Sequence, residues 1–150
     1  IVSIGSDHAG YVYKKSIKDY LENLGIQVID EGTDSPLATD YPDYALKVAN
    51  RVAKHEADWG VLICGTGVGM SIAANKVLGI RAALVENDFT AESSKTHNHA
   101  NVVTFGSRVN TIEEVLRFLG IYMHADESQD SRHVNRVKKI GDIEEAKWEK

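Results

Sequence analysis

Two rhythms of apolar and polar residues alternate along the chain. Compact apolar runs at 1–5, 26–29, 59–64, 80–85 and 101–105 have the length and continuity of strands buried on both faces. Between them, apolar residues return every third or fourth position, as on one face of a helix. Tyr13, Ile17, Tyr20, Leu21 and Leu24 predict a helix over 11–24 that stops at Gly25. Tyr44, Ala45, Val48, Ala49 and Val52 predict another over 41–55. Shorter helices are expected over 70–77 and 88–97, the second capped by Asn87 or Asp88. Thr111, with Glu114 three residues on, forms a capping box for a helix over 111–124. The last segment, 132–150, reads as a charged helix weakened by Gly141, with mixed charges that suit a solvated face.

Apolar strands alternating with helices indicate a parallel sheet with helices on both faces. The expected fold is a three-layer α/β/α Rossmann-like sandwich around five strands, one domain over 1–150 with an extra C-terminal helix. Ligands in such sheets bind outside the carboxyl ends of the strands. The turns after Gly5, Cys64 and Phe105, with the loop before Asn101, are therefore the expected site positions.

Composition narrows the function. The hydrophobic share of 43% and charged share of 26% exclude a disordered chain. With 17 Lys+Arg against 22 Asp+Glu the formal charge is −5, which argues against general nucleic-acid binding. A membrane span needs about 20 consecutive apolar residues, and no stretch approaches that. The start at 1–5 reads as a strand and not as a signal peptide. Cys64 is the only cysteine, so an internal disulfide and a Cys-based zinc site are excluded, and an intracellular, cytoplasmic protein is expected.

The richest chemistry lies in Val61-Leu62-Ile63-Cys64-Gly65-Thr66-Gly67-Val68-Gly69-Met70-Ser71, an apolar strand running into glycines and then a helix. Such a loop brings backbone N–H groups close to an anion. It is not a Walker loop, which needs Gly-Lys-Ser/Thr after four variable residues. Nor is it a dinucleotide fingerprint, whose last glycine gap is wider and which normally follows the first strand. A cysteine-phosphatase loop would want arginine where Met70 stands. Cys64 at the strand end would otherwise read as a small buried hydrophobe. Facing oriented amides, its thiolate is favoured and suits a base near neutral pH. Thr66 offers a hydroxyl to the same space or caps the turn.

Other candidates are less specific. Asp7-His8 follows the first strand, where Asp7 or Ser6 is also a natural N-cap. His97 and His99 bracket Asn98 before the fifth strand; either suits acid–base work, and no Glu or Cys frame supports a metal. Arg108 follows the fifth strand. Arg132 and Arg136, four apart on a helix, either grip a phosphate or pair with Asp126, Glu127 or Asp130. These residues point to a small α/β enzyme acting on a phosphorylated small molecule, with isomerase, transferase and lyase left open.

The chain resembles the ribose-5-phosphate isomerase B family, within the group that includes galactose-6-phosphate isomerase subunits. The matching segments run in order over nearly the whole length. They are Gly5-Ser6-Asp7-His8-Ala9-Gly10, Asp40-Tyr41-Pro42-Asp43-Tyr44, Ile63-Cys64-Gly65-Thr66-Gly67-Val68-Gly69 and Ser71-Ile72-Ala73-Ala74-Asn75-Lys76. Gly79-Ile80-Arg81-Ala82, His97-Asn98, Phe105-Gly106-Ser107-Arg108 and Arg132-His133 with Arg136 follow. The resemblance implies interconversion of ribose 5-phosphate and ribulose 5-phosphate, in the non-oxidative pentose phosphate branch, with no metal or organic cofactor. It makes Cys64 the base that moves a proton between carbons 2 and 1. It makes Gly65, Thr66, Gly67, Val68 and Gly69 the donors to the enediolate oxygens. His97 would open the sugar ring, with Thr66 or Asp7 assisting. Asn98, Asp7 and Tyr41 would hold sugar oxygens, and His8, Arg108, Arg132 and Arg136 the phosphate. It also implies a homodimer with shared active sites, or a tetramer of paired dimers. The sequence departs from the family at His99, where an acid is usual, and at Asp126-Glu127-Ser128-Gln129-Asp130-Ser131, which lacks the usual glycines. A six-carbon phosphosugar isomerase and a non-catalytic phosphosugar sensor are the competing readings.

Overall fold

The computed structural model describes residues 1–145. Five strands form one parallel sheet: β1 (Val2–Ser6), β2 (Val28–Asp30), β3 (Trp59–Cys64), β4 (Ala82–Leu84) and β5 (Val102–Gly106). Their order is β2-β1-β3-β5-β4. Six helices accompany them: α1 (Tyr11–Asn23), α2 (Tyr41–Ala53), α3 (Val68–Ala74), α4 (Asp88–Thr96), α5 (Ile112–His124) and α6 (Ser131–Glu144).

Alternation along the strands assigns each residue to a face. Val61 and Ile63 of β3 join Ile4, Val103, Phe105, Ile17, Leu21 and Phe118 in a core under α1, α4 and α5. Leu62 and Cys64 point the other way, into a core with Val48, Val52, Met70 and Ala74 of α2 and α3. The expected three-layer sandwich is therefore the observed one. Chain order along the sheet reverses between β1 and β3. The crevice outside the carboxyl ends of those two strands is where this architecture receives ligands.

Several boundaries differ from the sequence reading for local reasons. The edge strands are shorter than expected because only Val28–Asp30 and Ala82–Leu84 find a partner's ladder. The third helix spans Val68–Ala74 and not 70–77. Gly67, at φ +79°, turns the chain in just before it. Asn75 ends it by turning to the edge strand, accepting from the Ala82 amide at 2.8 Å and donating to the Ala82 carbonyl at 3.0 Å. Neither Asp7 nor Ser6 caps α1; its N-cap is Gly10, and Asp7 Oδ1 instead accepts the Gly10 amide at 3.1 Å, closing the preceding turn. The Thr111–Glu114 capping box is formed, as is an Asn87 cap on α4. α6 follows the predicted charged segment and buries none of its residues; the part of that segment at 146–150 lies outside the described residues.

Candidate active site

β3 emerges from the core at Cys64, which is 5% exposed while Val61, Leu62 and Ile63 are fully buried. The loop that follows folds back over the sulfur, and the Gly67 amide donates to Cys64 Sγ at 3.1 Å. That amide is a donor aimed at the sulfur from the loop's own main chain. The amides of Gly65 and Thr66 find no acceptor among the described residues. The loop therefore holds both a thiol and free donors beside it.

Close approach of backbone to backbone sets this geometry. A Cβ on Gly67 would sit 2.7 Å from Leu84 Cδ1 and 2.9 Å from the Phe105 carbonyl carbon. A Cβ on Gly106 would meet Thr66 backbone at 2.6 Å, so β5 needs glycine there for the loop to lie on it. Thr104, fully buried in β5, donates its hydroxyl to the Gly67 carbonyl at 2.9 Å. Its one sequence signal is a polar residue inside Val102-Val103-Thr104-Phe105, and sequence reasoning missed it. Thr66 Oγ1 accepts the Val68 amide at 3.2 Å, so the turn-capping role is realised.

The same rim gathers further predicted residues. The turn after β1 reaches β3: the Asp7 amide donates to the Ile63 carbonyl at 3.2 Å, and a Cβ on Gly10 would stand 2.5 Å from that oxygen. His8 Nδ1 accepts the Thr39 amide at 3.2 Å, which leaves the proton of a neutral ring on Nε2 as a donor. Tyr41, at the first position of α2, lays its ring against Gly69, where a Cβ would stand 2.6 Å from Cε1 and Cζ. Arg108 covers Gly65, its Nη1 3.2 Å from where a Cβ would be, and its amide donates to the Gly65 carbonyl at 2.9 Å. Ser107, unremarked as a separate site residue, ties this loop to the first one by donating to the Ala9 carbonyl at 2.8 Å.

His97, Asn98, Arg132 and Arg136 are not at this rim. The loop before Asn101 enters β5 at its amino end, so its expected place among the carboxyl-end loops is corrected. Between Val102 and Gly106 the strand climbs four residues, about 13 Å at a rise of about 3.3 Å each. His97 and Asn98 are both exposed there. The His97 ring stacks on the His133 ring at 4.5 Å between centroids. His133 stands in the first turn of α6 between Arg132 and Arg136, and its part beside His97 was not foreseen. Arg132 is 68% exposed and pairs with Asp130 through Nε at 3.1 Å and Nη2 at 3.0 Å. That guanidinium holds the Asp130 carboxyl down at about 2. Arg136 is exposed and has no ion-pair partner among the described residues. His99 turns away from His97 toward the segment before α6. No helix of the described residues is long and apolar enough to cross a membrane.

Residues 2–140 match the model of the Ribose/Galactose Isomerase family. The chain is 45% identical over 144 residues to ribose-5-phosphate isomerase B of Escherichia coli (strain K12), covering 96% of each protein. Its fold superposes with TM-score 0.94 on the structure of Clostridium thermocellum ribose-5-phosphate isomerase B, at 48% identity over 98% of this chain and 99% of that one. It is also similar, with TM-score 0.92 and 40% identity over 96% of this chain and 95% of the other, to ribose-5-phosphate isomerase B from Mycoplasma genitalium with bound ribulose-5-phosphate.

Proposed function

The chain belongs to the ribose/galactose isomerase family and is an isomerase; from that premise we propose that it interconverts D-ribose 5-phosphate and D-ribulose 5-phosphate through an enediolate, as part of the non-oxidative pentose phosphate branch. The observation that carries the reading is the Gly67 amide on Cys64 Sγ, at the topological switch of the sheet and beside unpaired amides.

In this reading the Cys64 thiolate removes the proton from carbon 2 of the open-chain aldose. The electron pair moves into the carbon 1–carbon 2 bond, and charge collects on the carbonyl oxygen, where the Gly65 and Thr66 amides stabilise it. Oxygen 1 gains a proton and oxygen 2 gives one up within the loop. The sulfur returns its proton to carbon 1, and the ketose is formed with no change in total atoms or charge. Asp7 and Tyr41 hold sugar hydroxyls, and His8 and Arg108 receive the phosphate. His97 protonates the ring oxygen at the start, with Asn98 on the sugar and Arg132 and Arg136 on the phosphate.

One chain supplies only part of this set at each end of its sheet. We therefore propose a homodimer in which the amino rim of one subunit meets the carboxyl rim of the other. Exposed apolar residues support it: Val68 and Ile72 flank the Cys64 loop, and Val134 lies between Arg132 and Arg136. Arg132, paired with Asp130 in the chain alone, would be handed to the phosphate.

The test is turnover of ribose 5-phosphate by the purified protein in a chelator, beside allose 6-phosphate and galactose 6-phosphate. Cys64→Ala should lower kcat at least about 100-fold while leaving the fold intact. Retained turnover in that variant refutes the thiol as base. Preference for a six-carbon substrate refutes the pentose assignment. Arg136→Ala should raise KM, and an unchanged KM leaves Arg136 outside the phosphate site.

A further inference from the structure

We propose that His99 is a positioning residue: its imidazole clamps the segment before α6 and so fixes Arg132, His133 and Arg136 relative to His97. The proposal rests on the isomerase reading above for what the arm does, and on the following geometry for how it is held.

α6 buries no side chain fully; its far end is tied to the Gly79 amide by Glu144 Oε1 at 2.8 Å, which leaves its first turn, with Arg132 and His133, to be held by the segment before it. In the stretch 126–130 that leads into it, only Ser128 is partly buried; the other four residues are exposed. The Ser128 backbone is bound on both sides of His97. Its amide donates to the Thr96 carbonyl at 3.0 Å, and its carbonyl lies 3.0 Å from His99 Nε2. A carbonyl oxygen only accepts, so Nε2 carries the proton. The Ser128 hydroxyl oxygen accepts the Asp130 amide at 3.1 Å and meets His133 Nδ1 at 2.9 Å. His133 in turn stacks on His97. The clamp, the acid–base histidine and the first turn of α6 thus form one connected body.

His99 is built to hold that position. Its side chain is 12% exposed, and its backbone sits at φ +50°, a conformation rare for residues other than glycine. The Lys95 carbonyl accepts its amide at 3.1 Å, and Arg81 Nε donates to its carbonyl at 2.9 Å. With main chain fixed at both ends, the ring points at Ser128, and Glu127 Oε2 lies 3.6 Å from the remaining ring nitrogen. His99 and the segment 126–131 are the two places where the sequence departs from the family pattern, and in space they touch. The Ser128 contact gives His99 a reason to be histidine: a carboxylate there has no proton to give to a carbonyl.

His99→Phe keeps a planar ring and removes the donor. His99→Asn, a residue that accepts left-handed backbone, is too short to reach Ser128 and serves if the first variant does not fold. His99→Gln places an amide N–H at comparable reach and is the rescue. In the full-length protein, the donor-less variant should raise KM for ribose 5-phosphate about five- to tenfold, with the same loss of affinity for inorganic phosphate as a competitive inhibitor. kcat should stay within about twofold, since His97 is itself held by its amide on the Ser93 carbonyl. Hydrogen–deuterium exchange should quicken over 125–136, and His99→Gln should reverse all of it. Unchanged exchange over 125–136 overturns the clamp. Quickened exchange with KM unchanged, in a protein whose Arg136→Ala variant does raise KM, overturns the positioning role. Phosphate affinity and exchange are read without turnover, so failure of the isomerase assignment is separable from failure of His99.

Discussion

A protein carrying Cys64→Ala and one carrying His97→Asn should each be inactive, and mixed they should regain activity. The sulfur and the imidazole stand at opposite ends of the sheet, separated along β5 by about 13 Å at about 3.3 Å per residue. Each must come within about 3 Å of its own substrate atom, carbon 2 for the sulfur and the ring oxygen for the imidazole, and a separation of about 13 Å exceeds what those two reaches and one sugar ring span, which is the basis of the proposed shared site. In a two-fold dimer each site takes its sulfur from one subunit and its imidazole from the other. A mixed dimer then has one site with both substitutions and one with neither. Equal amounts, unfolded together and refolded, give half mixed dimers; half the sites in those are intact. The expected recovery is about a quarter of the unsubstituted activity, by counting sites under two-fold symmetry. The assay is the initial rate of ribulose 5-phosphate formation at saturating substrate, against each variant refolded alone. No recovery, in a sample shown by mass spectrometry to contain mixed dimers, refutes the shared site.

Three further perturbations test the framework. Lys14 is 2% exposed and pairs with Asp30 at 2.6 Å, Asp30 having Lys18 as a second, more distant partner at 3.8 Å; Lys14→Met should destabilise by about 3 kcal/mol, the low end for breaking a buried pair, read as a lower urea midpoint at unchanged slope. Gly67→Ala puts a Cβ at φ +79° against Leu84 and the Phe105 main chain; it should cost at least about 1–2 kcal/mol and lower kcat by pulling the amide off Cys64, whereas a stable variant with full kcat removes the loop from the mechanism. Asp130 should titrate near 2, against an ordinary 3.8, because Arg132 donates to its carboxylate and to a lesser degree offers its amide; its depressed value means the pairing is complete above the ordinary value and is lost as pH falls through about 2. Saturating phosphate should raise that midpoint in a carbon-13 titration, and a midpoint that does not move shows that Arg132 stays with Asp130.

Sequence and structure agree where local chemistry decides. The run Val61-Leu62-Ile63-Cys64 is apolar on both faces, so a central strand was legible, and the glycines after it could only be a close-packed loop. The capping box at Thr111 and Glu114 sits within four residues and needs no tertiary information. Only the N-cap alternative for Asp7 fails: a carboxylate before a helix suits a cap, but the first turn ends at Gly10, forced close to β3, and Asp7 closes that turn. Thr104 and Ser128 were invisible as site residues because their roles lie in hydrogen bonds to groups distant in sequence, 37 residues away for Thr104 and Gly67 and 29 for Ser128 and the His99 ring. Spacing showed that Arg132 and Arg136 share a helix face; it could not show that one is engaged by Asp130 and the other is not.

The carboxyl-end rule explains both what the sequence located and what it misplaced. The rule describes one sheet, whose β-to-helix turns all open on one rim. Cys64, Asp7, His8, Tyr41 and Arg108 obey it because each follows a strand or begins the helix after one. His97 follows a helix, and residues that follow helices in this topology return to the opposite rim. The arginines of α6 come after the last helix of the sandwich and share that rim through the His97–His133 stack. The proposed site, which uses both sets, is therefore divided between two copies of this topology. The exposed Val68 and Ile72 beside one set, and Val134 beside the other, are the apolar residues that the proposed isologous contact would cover, the patch near the sulfur on one subunit facing the patch near the imidazole on the next. In that proposed dimer association and catalysis draw on the same surface, and a substitution that weakens it should lower turnover in proportion to the subunits left alone.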